Sequence, residues 1–282
     1  MLLGIKNYSL PRMGPIMKDY VKEIVNKELS IQENINLVRE YLQIYLLYIF
    51  YKKKFYKNLI FTGGTALRIL YKVRRFSEDL DFSLSSKAKD YDFEKMLNVL
   101  KREFLLSGYD IEIKYKSSGV VHSAFFKFPG LVYDYGLSRH STETLSIKLE
   151  IDTNPPVGGI DEVTLINSIF MFYVMHYDLS SLFAGKLHAL LCRKYTKGRD
   201  CYDLLWFLKN FKTTEPNFKM LNNALAQTEV NPPNIGGHNW REELRKRIER
   251  IDMQKARREV RPFLEEPSEG NFLTKKNLLQ LL

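Results

Sequence analysis

Residues 59–72 read LIFTGGTALRILYK. A short apolar run ends on Gly63 and Gly64, and a helical pattern follows from Thr65. The run reads as a buried strand, the glycines as a strand-to-helix turn and TALRILYK as a helix. Glycine lets another group come close to the backbone, and the start of a helix offers free N–H groups and a dipole that favour an anion. The stretch is neither GxxxxGK[ST], which needs a lysine absent here, nor GxGxxG. Taken alone, Gly63-Gly64-Thr65 suits a tight turn with close strand–helix packing as well as it suits a phosphate site.

Residues 75–82 read RFSEDLDF, and LDFSL at 80–84 is a second strand. Residues two apart on a strand share a face, so Asp79 and Asp81 project together while Leu80 and Phe82 point the other way. Adjacent carboxylates repel each other unless a cation, a proton or water intervenes. A bare DxD is often two solvated acids on a surface strand. TLSIKLEID at 144–152 is the clearest strand of the chain: Leu145, Ile147, Leu149 and Ile151 share one face, and Ser146, Lys148, Glu150 and Asp152 the other. Beside LDFSL it would add a third carboxylate, and such a set suits Mg²⁺, which prefers oxygen ligands and keeps open positions for phosphate. Alone, it is equally an amphipathic strand with a polar outer face.

Around these strands the chain divides into a helical N-terminal piece, a central sheet with helices and a helical C-terminal half. Residues 17–53 read as two helices, the second opened by a capping box of Ser30 and Glu33. Residues 91–106 form a helix. Alternation at Tyr109, Ile111, Ile113 and Tyr115 marks a strand, HSAFFKFPG and LVYDYG are further strand candidates, PPVGG at 155–159 is a turn, and FMFYVMHY at 170–177 is a last strand. DLSSLFAGKLHALLCRK and RDCYDLLWFLKNF are helices about a Thr196-Lys197-Gly198 turn. The tail from about 215 is charged and helical, broken at VNPPNIGGHN (230–239).

Composition narrows the function classes. The 282 residues carry a formal net charge of +10 and a pI near 9.3, which favours a polyanionic partner and says little about fold. Cys192 and Cys201 form no CxxC pair, and the five histidines form no HExxH-type ligand pair. That argues against a zinc centre and fits a reducing, cytoplasmic setting. Residues 1–14 lack the apolar core of a signal peptide. YLQIYLLYIFY (41–51) is shorter than the roughly 20 residues of a membrane span, so a buried helix is expected there and no membrane partner.

In their order, GGTALRIL, RFSEDLDF, IKLEIDTNPP and LFAGKLHALLCRKYTKGRDCYDLLWFL resemble the AbiEii/MenT-like nucleotidyltransferase toxins of bacterial abortive-infection and toxin–antitoxin systems, within the DNA polymerase β-like nucleotidyltransferase superfamily. The resemblance covers residues 61–207 and extends more loosely to 240–264. It implies an α+β fold: a helical N-terminal segment (1–54), a mixed-sheet nucleotidyltransferase core (55–177) and a helical C-terminal domain (178–282). It implies that Gly63, Gly64 and Thr65 cradle an NTP, Thr65 replacing the serine common at that place. Asp79 and Asp81 would bind one or two Mg²⁺, with Glu150 or Asp152 as third carboxylate. Lys186 would lie near the triphosphate, and Asp200 would be a second catalytic acid beside Arg199. The implied reaction moves a nucleoside monophosphate to an acceptor such as the 3′ end of tRNA, blocks translation, and is countered by a cognate antitoxin.

Each of these features also has a plain reading. Lys186 can lie outward from a packed helix, Arg193, Lys194, Lys197 and Arg199 can be a solvated connector, and Asp200 can favour a helix start. Their joint occurrence in this order is what speaks for a site. Lys52–Lys54, Lys57, Lys72, Arg74, Arg75 and the 193–199 cluster are the candidate RNA contacts. Two other functions compete: nucleotidylation of a small molecule, with no need of RNA, and non-catalytic binding of RNA, which bare acids on the same face would oppose.

Overall fold

A computed structural model describes residues 17–195 and 197–282. The signal-peptide reading at residues 1–14 and Thr196 of the connector turn lie outside the described residues. After a short helix α1 (Tyr20–Ile24), helix α2 (Ile31–Lys52) begins at Ser30, whose Oγ accepts the Glu33 N–H (3.2 Å) while Glu33 accepts the Ser30 N–H (2.8 Å). This reciprocal cap satisfies two amides that a helix start leaves open. The apolar 41–51 run is buried in α2: Tyr45 meets Phe104 edge-on at 5.3 Å and Tyr48 stacks on Phe170 at 4.7 Å. A fully buried side chain of this kind, such as Phe104, contributes roughly 1.5–3 kcal/mol. No helix among the described residues is long and apolar enough to cross a membrane.

Next come β1 (Leu59–Thr62), α3 (Gly63–Tyr71), β2 (Asp79–Leu84), α4 (Phe93–Leu106), β3 (Glu112–Lys116), β4 (Val121–Pro129), α5 (Leu131–Asp134), β5 (Thr144–Asp152), β6 (Asp161–Asn167) and β7 (Met171–Tyr177). The C-terminal half is α6 (Leu179–Cys192), α7 (Gly198–Asn210), α8 (Phe218–Thr228), α9 (Trp240–Glu249), α10 (Met253–Val260) and α11 (Lys275–Leu281). The strands form one mixed sheet in the order β3-β4-β5-β2-β1-β7-β6. The α+β architecture expected from the sequence is what the chain adopts.

The order decides the site. β5 is an interior strand, parallel to β2 and directly beside it. Its apolar side chains, Leu145 to Ile151 at alternate positions, are buried with α2 and α4 on one face, and its polar side chains lie on the other.

The strands differ from the sequence reading in three places. LVYDYG forms the short helix α5, because Gly130 takes a left-handed φ of +69° after Pro129 and turns the chain out of β4. DEVTLIN, read as no element, is the edge strand β6. Six of its seven residues are exposed, so it lacks the one-sided burial that makes a strand visible in sequence. The alternation from Tyr109 yields a strand only from Glu112; Tyr109 and Ile111 are buried in the segment leading into it.

Candidate active site

A cleft of about 230 Å³ opens where β1 runs into α3, lined on one side by Gly63, Gly64, Asp79, Asp81 and Glu150 and on the other by Lys186, Arg193, Lys197, Arg199 and Asp200. The first group comes from the start of α3 and from the adjacent strands β2 and β5, and the second from α6, α7 and their connector.

Gly63 has φ +78°, which a side chain tolerates poorly, and a Cβ there would lie well inside 3.0 Å of the Asp81 carboxylate. A Cβ on Gly64 would meet the Arg75 guanidinium at 2.6 Å and the Ser77 hydroxyl at 3.0 Å. The two glycines thus let Asp81 and Arg75 come up against the strand–helix turn. Thr65 is buried and does not line the cleft; its hydroxyl donates to the Asp79 carbonyl and pins α3 to β2. Replacing Gly63 by Ala is expected to cost about 1–3 kcal/mol of stability and to lower turnover at least tenfold by displacing Asp81. Thermal melting and steady-state kinetics on the one variant check both.

In the β2–β5 register Asp79 lies opposite Lys148, Asp81 opposite Glu150, and Ser83 opposite Asp152. The two candidates for third carboxylate therefore separate. Glu150 lines the cleft beside Asp81. Asp152 lies one same-face pair further along and accepts the Asn154 N–H at 2.9 Å; burial raises its carboxyl, and that hydrogen bond opposes the rise. Glu150 is turned to Lys148 at 2.8 Å. Asp79 and Asp81 form no ion pair among the described residues. Burial first, and the Asp79 charge next, push the Asp81 carboxyl up to about 6, with Lys186 and Lys197 opposing.

Lys186 of α6 reaches Asp203 at 2.8 Å and Asp200 at 3.5 Å. Asp200 also pairs with Arg193, and Arg199 pairs with Glu78 at 3.1 Å while its guanidinium lies 4.4 Å from the Phe263 ring centre. Lys197 is held below the usual lysine range by burial first and then by Arg199 and Arg193. Lys186, Arg193 and Arg199 are each paired with a carboxylate, and Lys197, in no ion pair among the described residues, is the cation that an incoming anion would relieve.

Asp203 was not among the sequence candidates. It lies three residues after Asp200, and on a helix that spacing puts both on one face; GRDCYD held the signal. Its buried carboxylate takes Arg75 at 2.6 Å on both oxygens. Arg75 is 1% exposed, so its reading as an RNA contact is corrected: the guanidinium is committed inside the protein. Lys53 is bound to Glu103 (2.7 Å). Lys72 and Arg74 face a separate, mostly apolar groove of about 680 Å³ on the far side of α7, where Arg74 pairs with Glu269. Lys52, Lys54, Lys57 and Lys194 are exposed.

Among the described residues, no three His, Cys, Asp or Glu side chains are gathered tightly enough to hold a metal ion. The donor set nevertheless suits a hard cation: two neighbouring carboxylates in no ion pair among the described residues, a third across the register, and an Asp81 carboxyl raised by burial first and by the Asp79 charge next.

Comparison with known proteins bears on the chemistry. No curated protein matches the chain. Among solved structures, JHP933 from Helicobacter pylori is 19% identical and matches 79% of this chain and 82% of its own at a TM-score of 0.46. The nucleotidyltransferase toxin MenT4 from Mycobacterium tuberculosis is 17% identical and matches 94% of this chain and 98% of its own at 0.47. The family model described as nucleotidyl transferase AbiEii toxin, type IV toxin–antitoxin system, matches residues 45–275, a span that includes every cleft residue named above. The chain belongs to the AbiEii family of nucleotidyltransferase toxins.

Proposed function

We propose that the protein transfers a nucleoside monophosphate from an NTP to a hydroxyl at the 3′ end of tRNA, releases pyrophosphate, depends on one or two Mg²⁺ ions, and thereby blocks translation as the toxin of an antitoxin-controlled or abortive-infection system. The observation that carries this reading is the two-sided cleft, with carboxylates on β2 and β5 facing cations on α6 and α7 across the glycine turn.

In this reading the backbone N–H groups at the start of α3 meet phosphate oxygens, which Gly63 and Gly64 allow to come near. Lys186, Arg193, Lys197 and Arg199 take the negative charge of the leaving pyrophosphate. Asp200 and Asp203 hold Lys186 in line, and Asp200 holds Arg193, so Asp200 acts by positioning cations. Thr65 acts through the Asp79 carbonyl. Asp79 and Asp81 would hold Mg²⁺, joined by Glu150 once it leaves Lys148. When bound, the ion would neutralise phosphate charge and polarise the reacting oxygens. The net charge of +10 and exposed Lys194 beside the cleft favour an RNA acceptor, and such an acceptor places the protein in the cytoplasm.

The test is incubation of the protein with Mg²⁺, each labelled NTP and either total tRNA or a small-molecule extract, with and without chelator. Label on tRNA that needs the metal is expected. Label on a small molecule without RNA would overturn the acceptor, and transfer indifferent to chelation would overturn the metal. Lys186→Ala is expected to raise the KM for NTP by about 10–100-fold, the worth of one charged hydrogen bond, with the acceptor's KM unchanged. Initial-rate kinetics in each substrate check this.

A further inference from the structure

The sheet ends on β3 at one side and on β6 at the other, and the two edges are built differently. β3 reads EIKYK, and charges on alternate residues are a common guard against pairing with a foreign strand. β6 reads DEVTLIN, with both charges at its start and an uncharged run after them. Val163 and Leu165 are 57% and 44% exposed on one face. Leu165 is paired with Tyr173 of β7, and Tyr173 and Met171 are 43% and 57% exposed on that same face. Single exposed apolar side chains are ordinary, but a contiguous set along an open strand marks a contact surface. Among the described residues β6 is paired on one side only.

The charges beside this edge are polar along its length. Asp161 and Glu162 stand exposed at its start, where Lys87 approaches Asp161 at 3.9 Å and leaves Glu162 in no ion pair among the described residues. Toward its other end, Tyr51 rests on Tyr173 with ring centres 6.0 Å apart, bringing the exposed Lys52–Lys57 corner against the hairpin.

We propose that β6 is the seam of a homodimer, paired antiparallel with β6 of a second copy. A two-fold axis at Thr164 puts Val163 opposite Leu165 of the second copy. Residues opposite each other share a face, so the two exposed apolar sets merge. The same axis puts Asp161 opposite Asn167 of the second copy, and each acidic end then lies toward the other copy's lysine corner. A parallel pairing would instead set acid against acid. The surface is thus complementary to itself in shape and in charge, as a two-fold interface requires. The seam is independent of the reaction assigned to the cleft.

Sedimentation velocity of the full chain over a concentration series tests the proposal. The wild type is expected to rise to two chain masses. Val163→Lys with Leu165→Lys is expected to stay at one chain mass with unchanged circular dichroism. Should that variant not fold, Asp161→Lys with Glu162→Lys gives the same readout at two fully charged positions, and adding Lys54→Glu with Lys57→Glu is expected to restore the dimer. A wild type that stays at one chain mass throughout, or a dimer indifferent to the Val163 and Leu165 changes, overturns the seam. So does loss of RNA binding in the Lys54→Glu, Lys57→Glu variant with its association unchanged, which would make the corner a nucleic-acid surface instead.

Discussion

An Asp79→Asn, Asp81→Asn double variant is expected to lose about a thousandfold in kcat while melting no lower than the wild type. The activity loss follows from removing the carboxylates that would hold the metal, worth several kcal/mol at the transition state, or roughly three decades of rate at 1.36 kcal/mol each. The stability result has the opposite sign for a physical reason. Asp81 is pushed up to about 6 by burial and by the Asp79 charge, so its carboxylate is disfavoured in the folded protein. A carboxyl raised in the fold gives its full contribution to stability below the unfolded value, near 4, and loses it as pH rises through 6. At neutral pH the wild type bears that penalty and the asparagine pair does not. Melting in chelator from pH 4 to 8 should therefore show the wild type losing stability across that window relative to the variant. An Asn pair that is both inactive and clearly less stable would mean that these aspartates hold the fold together, and the assignment of a site to them would be abandoned.

Asp203→Ala is expected to destabilise the protein by about 3–5 kcal/mol, because it leaves the fully buried Arg75 guanidinium without its counter-ion. For a chain of this size that is a drop in melting temperature of roughly 10 °C. Burial works to raise the Asp203 carboxyl, but Arg75 and Lys186 overcome it and hold the group below the usual carboxylate range. The pair's contribution is thus present at neutral pH and lost only as pH falls below that range. Replacing both partners, Arg75→Met with Asp203→Leu, should recover most of the lost stability, since an apolar pair of similar volume removes the desolvation cost. It should not recover activity, because Lys186 then keeps only Asp200, at 3.5 Å. Recovery of both would show that Asp203 is a fold residue with no part in orienting Lys186. Denaturant melts and single-turnover rates on the two variants separate the outcomes.

The sequence by itself determined the elements whose signals are local. The Ser30–Glu33 cap, the strand–Gly-Gly–helix turn, the shared face of Asp79 and Asp81, and the alternation of 144–152 depend on neighbours within a few residues, and periodicity shows such features directly. The order of those motifs also carried the family. Tertiary structure alone decided what depends on register and on distant partners. Glu150 and Asp152 are equivalent on their own strand, and only the pairing of Asp81 with Glu150 sets one of them in the cleft. Arg75 reads as one more surface cation, and only the fold reveals Asp203 as its partner 128 residues away. β6 stayed unread because an edge strand exposed on most sides has no burial period to show. In each case the deciding energy is a contact between segments far apart in the chain, and a one-dimensional pattern holds no record of which segments will meet.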